Sequence, residues 1–477
     1  MVNHHRYDAI VVGSGPNGLA AAITLAQAGR SVLVYEAQET IGGGSRTAEL
    51  TLPGYLHDVC SAIHPLGIAS PFFREQRLEE LGLEWIHPQA PLAHPLPDGS
   101  AAVLERSIQA TGETLGPDAQ TYQELMEPFV ANWEKYMEDF LGPFPLPPRY
   151  PIADLRFGLK AIRSARGLAD SHFKCERARA LFAGMAAHAI MPLEKVISAS
   201  FGLMLGLLGH AVGWPVPRGG SQQIANAQAE KLRQLGGEII TSHRVETIEE
   251  LPQAGVILFD VTPQQLIQIA GEHLPGSYRR SLTRYRYGPG VFKVDWALSE
   301  GVPWQAAECR RAGTVHVGGP LEEIAAYESA VYQGKHAEKP FVLFAQQSLF
   351  DPTRAPEGKQ TGWAYCHVPH GSTVDMTGPI EAQIERFAPG FRDCIIARNV
   401  IFPAGMEAYN ANYIGGDING GVQDIWQFFT RPTARLVPYS TPNERIYLCS
   451  SSTPPGGGVH GMCGYQAALT VLKSRRL

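Results

Sequence analysis

Tyr7-Asp8-Ala9-Ile10-Val11-Val12-Gly13-Ser14-Gly15-Pro16-Asn17-Gly18 decides how this chain reads. The apolar run before Gly13 has the character of a central parallel strand buried on both faces. It opens directly into a G-x-G-x-x-G. Leu19, Ala22, Ile23, Leu25 and Ala26 then follow at helical spacing, and Gly29 closes the helix. A second strand, Ser31-Val32-Leu33-Val34-Tyr35, ends in Glu36. Gly13 makes the tight turn, Gly15 lets the backbone approach a pyrophosphate, and Gly18 lets helix and strand pack closely. The helix N-terminus offers N–H groups and a positive dipole end to the phosphates. Glu36 is placed to accept hydrogen bonds from an adenosine ribose. Strand, glycines, helix, capping Gly and acid stand in register, so the stretch reads as a dinucleotide site. An acid at 36 with no Arg beside it disfavours a 2′-phosphate, and hence NADP.

A second glycine cluster follows at once, Ile41-Gly42-Gly43-Gly44-Ser45-Arg46-Thr47, then Gly54-Tyr55 and Asp58. It sets flexible backbone beside the same pyrophosphate, and Arg46 supplies a counter-charge. In the middle, Pro217-Arg218-Gly219-Gly220-Ser221 precedes a helical run, and Gly236-Gly237 leads into the strand Glu238-Ile239-Ile240-Thr241. Gly255 to Asp260 reads as a further strand of the same sheet. At the far end Ile446-Tyr447-Leu448-Cys449 enters Ser450-Ser451-Ser452-Thr453-Pro454-Pro455-Gly456-Gly457-Gly458-Val459-His460-Gly461, and a helix runs from Met462 to about Leu472. Gly461, Gly464, Ala467 and Ala468 form a small-residue stripe on it that permits close packing.

Composition narrows the classes. The 477 residues, 44% hydrophobic and 18% charged, exclude wholesale disorder and suit two or three domains. A net charge of −6 leaves no basic footprint for nucleic acid. The seven cysteines never form a C-x-x-C, which argues against a disulfide framework, a zinc site and a redox dithiol. Met1 to Asp8 lacks a signal-peptide core, which points to the cytoplasm. Between Lys195 and Arg218 lie 22 uncharged residues, close to the length of a bilayer span, but Ser, Gly, His and Pro dilute them. A buried helix is the expectation there.

The glycine runs resemble the flavoprotein superfamily of amine oxidases and carotenoid desaturases. Tyr409 to Ile418 and Pro454 to Tyr465 are similar to its phytoene-dehydrogenase-like branch, which includes the pyridine nucleotide-disulfide oxidoreductase domain-containing protein 2 group. The resemblance implies an α/β fold of GR2 flavoprotein type. In it a Rossmann-like FAD-binding domain with a parallel sheet (1–75, 215–275, 435–477) interleaves with an α+β substrate domain of antiparallel sheet plus helices (76–214, 276–434). Within the latter, 120–212 reads as helical, interrupted by the proline-rich 142–148. FAD is the implied cofactor. Gly13, Gly15, Gly18, Glu36, Gly42, Gly43, Ser45 and Arg46 would hold its nucleotide end, the Val245 backbone would meet the adenine, and Ser452, Gly458 and Val459 would stand at the flavin end. Many relatives carry Gly-Asp where this chain has Ser450-Ser451-Ser452.

The implied chemistry is hydride transfer from a substrate C–H to flavin N5. His64 and His460 are the candidate bases. Tyr409 and Tyr413 read as cavity walls, and Asp417 reads as a turn residue. The substrate reading is an apolar, isoprenoid- or carotenoid-like small molecule, with oxygen or quinone as electron acceptor. A C–N (amine) oxidase and a non-catalytic lipid-binding module like the Rab GDP-dissociation inhibitors are the alternatives. No metal, no nucleic acid partner and an open question of peripheral membrane contact complete the expectations.

Overall fold

The computed structural model describes residues 7–143 and 147–474. Two sheets organise the chain. The first is parallel, in the order Ile446–Leu448, Ala254–Phe259, Tyr7–Val12, Val32–Tyr35, Glu238–Ile240. Its central strands are apolar on both faces because helices cover both sides, as a parallel sheet requires. Ile10, Val11, Val34, Val256 and Leu258 are all fully buried.

Register then positions the site. Val12 pairs with Tyr35 and with Phe259, and Phe259 pairs with Leu448. The chain therefore leaves the same edge four times, into Gly13, Glu36, Asp260 and Cys449. That edge is the carboxyl end of the strands, where α/β sheets take their ligands. Helix Pro16–Gln27 rises from the first exit with Gly15 at its N-cap. Helix Met462–Lys473 packs across its first turn. A Cβ on Gly464 would fall 1.7 Å from the Asn17 carbonyl oxygen, so the small-residue stripe is a requirement of this crossing.

The second sheet has seven strands, in the order Ile395–Ile401, Gly290–Leu298, Gln360–Val368, Val342–Ala345, Ala312–Val317, Ala90–Pro95, Ala101–Leu104. It departs from the purely antiparallel expectation at one place, where Ala312–Val317 and Ala90–Pro95 run parallel. No tight turn joins those two strands. More than two hundred residues intervene, long enough for the crossover that a parallel pair needs.

Helices fill most of the span from Ala119 to Ala211. Of the proline-rich interruption, residues 144–146 lie outside the described residues, as do residues 1–6 of the start. Helix Ser198–Ala211 is the core of the uncharged stretch. Its Gly202 faces the Phe182 ring and its Gly206 faces Met126 and Met185, so it is a buried helix of the helical layer. No helix among the described residues is long and apolar enough to cross a membrane.

Candidate active site

A continuous cavity of about 320 Å³ begins at the Gly13–Pro16 loop and ends under the seven-stranded sheet. That volume is within the usual range of small-molecule and cofactor sites. Two glycine loops meet at its mouth. A Cβ on Gly43 would lie 2.9 Å from the Gly15 Cα, and one on Gly15 would lie 2.8 Å from Asp260 Oδ2. Side chains there would fill the cradle.

Glu36 stands at the end of its strand with every acceptor position used. Its Oε2 accepts from the Ser14 N–H (3.0 Å) and Ser14 Oγ (2.6 Å), and its Oε1 accepts from the Gln38 N–H (2.9 Å) and Arg46 Nη2 (3.1 Å). Arg46 also donates from Nε to the Thr40 carbonyl (2.9 Å) and lies 5.3 Å over the Tyr409 ring. Its cationic partner role is thus already engaged by Glu36, where the sequence reading had assigned it to phosphate.

Of the residues named from sequence, Gly13, Gly15, Glu36, Gly43, Arg46, Val245, Ser452, Gly458 and Val459 line the cavity. Gly18, Gly42 and Ser45 stand behind the lining. The Gly18 N–H donates to Asp260 Oδ2 (2.9 Å), the Gly42 N–H to the Ser14 carbonyl (3.0 Å), and Ser45 Oγ to the Gly42 carbonyl (2.8 Å). They shape the loops that the lining residues form. Tyr409 and Tyr413 are walls, and Asp417 clasps a turn by accepting from the N–H groups of Gly288, Asn419 and Gly421.

Neither candidate base reaches the cavity wall. His64 is buried at the N-cap of a short helix, with Nε2 2.8 Å from Ser221 Oγ. His460 is buried too, its Nδ1 accepting the Met462 N–H at 3.0 Å. Burial pushes both imidazoles down to about 4.

Several residues escaped the sequence reading. Asp260 ends a parallel strand just as Glu36 does, and that shared position was the available signal. Burial holds its carboxyl well above the usual range, against the Gly18 N–H that favours the ion. Behind segment 57–63 sits a buried charged knot. Arg354 donates to Asp58 (2.9 Å) and Asp351 (3.1 Å), Lys293 donates to Asp295, and the Trp363 indole donates to the Asp58 carbonyl (2.8 Å). Arg354 and Trp363 lie 296 and 305 positions from Asp58, and no motif links them. The far end of the cavity carries Ile63, His188, Thr314, Leu343, Trp363 and Tyr365. Thr314, Leu343, Trp363 and Tyr365 share one face of the sheet, because the pairings Thr314 to Ala345, Leu343 to Tyr365 and Ala345 to Trp363 keep them in one pleat.

Comparison with known proteins places this geometry. Residues 11–75 match the family described as NAD(P)-binding Rossmann-like domain. The chain is 25% identical to pyridine nucleotide-disulfide oxidoreductase domain-containing protein 2 of Rattus norvegicus, over 98% of this chain and 93% of that one. It is 24% identical to the phytoene desaturase (neurosporene-forming) of Rhodobacter capsulatus, over 96% and 92%. Over nearly its whole length the chain is thus similar to phytoene desaturase and its oxidoreductase relatives. The fold is also that of putrescine oxidase bound to putrescine, with a TM-score of 0.61 at 17% identity over 98% of this chain and 99% of that one.

Within this fold the division of labour is visible. The parallel sheet presents backbone N–H groups and one acid at a cavity mouth. The second sheet closes the other end with an aromatic and aliphatic wall. All seven cysteines are free, and among the described residues no group of His, Cys, Asp and Glu has the arrangement to hold a metal.

Proposed function

We propose that the protein is an FAD-dependent oxidoreductase that removes hydride from a C–H bond of a small molecule with an apolar, isoprenoid-like skeleton. The observation that carries this reading is the continuity of the cavity. The same space touches Gly13, Gly15 and Glu36 at one end, Ser450–Ser452 and Gly458-Val459 further along, and an apolar chamber beyond. A nucleotide with a second, ring-bearing half suits that run better than a mononucleotide. Glu36 would release the Ser14 hydroxyl to accept from the ribose, the loop N–H groups would meet the pyrophosphate, the Val245 backbone would meet the adenine, and Ser452 with Val459 would border the ring. Bound FAD supplies a two-electron acceptor at N5. The protein's part is to hold the substrate carbon against that position and keep water out. Ile63, Leu343, Trp363 and Tyr365 serve both tasks.

A C–N oxidase is the second reading. It is favoured by two polar groups on the otherwise apolar chamber wall, Thr314 and His188. The purified protein is expected to be yellow, to release flavin on heating, and to melt higher with added FAD. Colourless protein whose melting point ignores FAD defeats the proposal. Reoxidation rates with oxygen and with a quinone then identify the electron acceptor.

Peripheral contact with a bilayer is supported by one helix. Pro151–Ala161 buries Phe157 and Ala161 but leaves Ile152, Leu155 and Leu159 exposed, with Ile162 continuing the stripe and Arg156, Lys160 and Arg163 beside it. An apolar stripe flanked by cations suits an anionic membrane surface. Co-flotation with phosphatidylglycerol vesicles, lost in the Leu155→Glu/Leu159→Glu variant, is the expected result.

A further inference from the structure

Three histidines stand in a row behind the chamber. His94 and His316 are neighbours on the parallel strands Ala90–Pro95 and Ala312–Val317, where Leu92 pairs with Thr314. His188 follows helix Glu176–Ala186 and lies on the cavity wall, its Nε2 3.0 Å from His316 Nε2. His94 Nε2 lies 2.7 Å from the Gly319 carbonyl oxygen. The Nδ1 atoms of His94 and His316 are both buried without a hydrogen-bond partner. They border one small gap, since a Cβ on Gly184 would sit 2.9 Å from the first and 2.8 Å from the second.

Hydrogen-bond chemistry orients the row. A carbonyl oxygen only accepts, so His94 carries its proton on Nε2 and its Nδ1 is bare. The two Nδ1 atoms share no hydrogen bond, and a proton on His316 Nδ1 is the arrangement that keeps two lone pairs from facing one gap. His316 Nε2 is then bare and accepts from His188 Nε2–H. In that arrangement the row ends at His188, with Nδ1 bare. A second polar atom stands on the same wall. Thr314 Oγ1 is buried without a hydrogen-bond partner, and the residue is 4% exposed. A pure hydrocarbon would leave the buried Thr314 hydroxyl unpaired, which is costly.

We propose that His188 is the proton acceptor of the reaction, held as the Nε2–H tautomer by His316 and His94, and that the carbon oxidised in the substrate bears an O–H or N–H group directed at His188 Nδ1, with Thr314 as the second hydrogen-bonding point. The inference rests on the flavoenzyme reading above. In the step, the C–H bond breaks and both its electrons leave with hydrogen for the oxidised cofactor. The O–H or N–H proton passes to His188 Nδ1, and the electron pair left on oxygen or nitrogen closes the new C=O or C=N bond. His316 and His94 are positioning residues.

The groups facing His188 are His316, behind which His94 stands, and His367, paired with Glu328 on helix Leu321–Tyr332, together with the Trp214 ring edge. Burial is the main cause that brings His188 down to about 3, with the His367 charge adding to it. The resting imidazole is therefore uncharged above that value.

The test uses the full-length, FAD-loaded protein. Its visible spectrum is recorded first, so that failure of the flavoenzyme reading shows separately as absent flavin absorbance. Anaerobic bleaching is followed with a panel of terpenoid alcohols, aliphatic amines and isoprenoid hydrocarbons. An alcohol or an amine is expected to bleach the flavin at a rate flat from pH 5 to 8. His188→Gln is expected to cut that rate 100-fold or more with flavin content and melting point kept, in line with the loss of a general base. His316→Phe removes the acceptor of the His188 Nε2–H, and it is expected to abolish the preference for that tautomer and to slow the bleaching with flavin content kept. Nitrogen-15 spectra of histidine-labelled protein are expected to give His188 as the Nε2–H tautomer, a readout independent of any substrate. Bleaching by hydrocarbons alone or by no alcohol or amine, an undiminished rate in His188→Gln, or an Nδ1–H tautomer each overturns the proposal.

Discussion

Arg46 Nη2 lies 3.1 Å from Glu36 Oε1, and each side chain is 8% exposed. The pair ties the second glycine cluster to the acid that ends the second strand. Removing one partner of a buried pair leaves an uncompensated charge and costs about 3–5 kcal/mol. Arg46→Ala is therefore expected to lower the melting point and to shrink the further rise produced by added FAD. Glu36→Gln retains hydrogen-bonding capacity and is expected to weaken FAD less than Glu36→Ala does. Thermal melts with and without FAD check both orderings.

Gly464 tests the helix crossing. Its added Cβ would meet a backbone carbonyl at 1.7 Å, and no side-chain rotation relieves that contact. Overpacking of this kind costs about 1–3 kcal/mol or more. Gly464→Ala is expected to melt lower and to retain less flavin, because Pro16 and Asn17 on the other side of the crossing line the cavity. A variant with unchanged melting point and flavin content contradicts this packing.

Asp260 carries a pH signature. Its folded pKa is raised by burial above the ordinary 3.8, so the fold favours the protonated form. The benefit is complete below the ordinary value and is lost as pH rises through the folded one. Asp260→Asn keeps an acceptor for the Gly18 N–H without the charge. Its melting point is expected to match wild type near pH 4 and to exceed it increasingly toward pH 8.

Asp58 carries the opposite signature. Burial raises its pKa, but the Arg354 charge and hydrogen bond, the Ser221 N–H and the Thr47 hydroxyl together bring it below the ordinary 3.8. Its stabilisation is present above 3.8 and lost as pH falls through the folded value. Arg354→Met strands the carboxylate and is expected to cost about 3–5 kcal/mol at neutral pH. The deficit should narrow toward pH 3, where the carboxyl takes a proton, and a melting-point series across pH measures it.

Local order made the first half of the site legible. The Gly13–Gly18 loop, the strand ending at Glu36 and the glycines at 42–44 act through backbone geometry, and backbone requirements leave marks at fixed short spacings. The same holds for Gly464, whose small size is written into a helical stripe. Parallel strands likewise read as unbroken apolar runs, so the first sheet was visible before its order was known.

The chamber chemistry was decided by the tertiary structure. His64 and His460 stand beside glycine motifs and yet are buried off the cavity lining, while His188 sits between two alanines with no motif around it. Its environment is made by His316, His94 and the Gly319 carbonyl, which strand pairing brings together across more than two hundred residues. Arg354 meets Asp58 by the same means. A side chain's hydrogen-bond direction and the cost of its burial depend on neighbours in space, and those neighbours are assigned only when the sheets close.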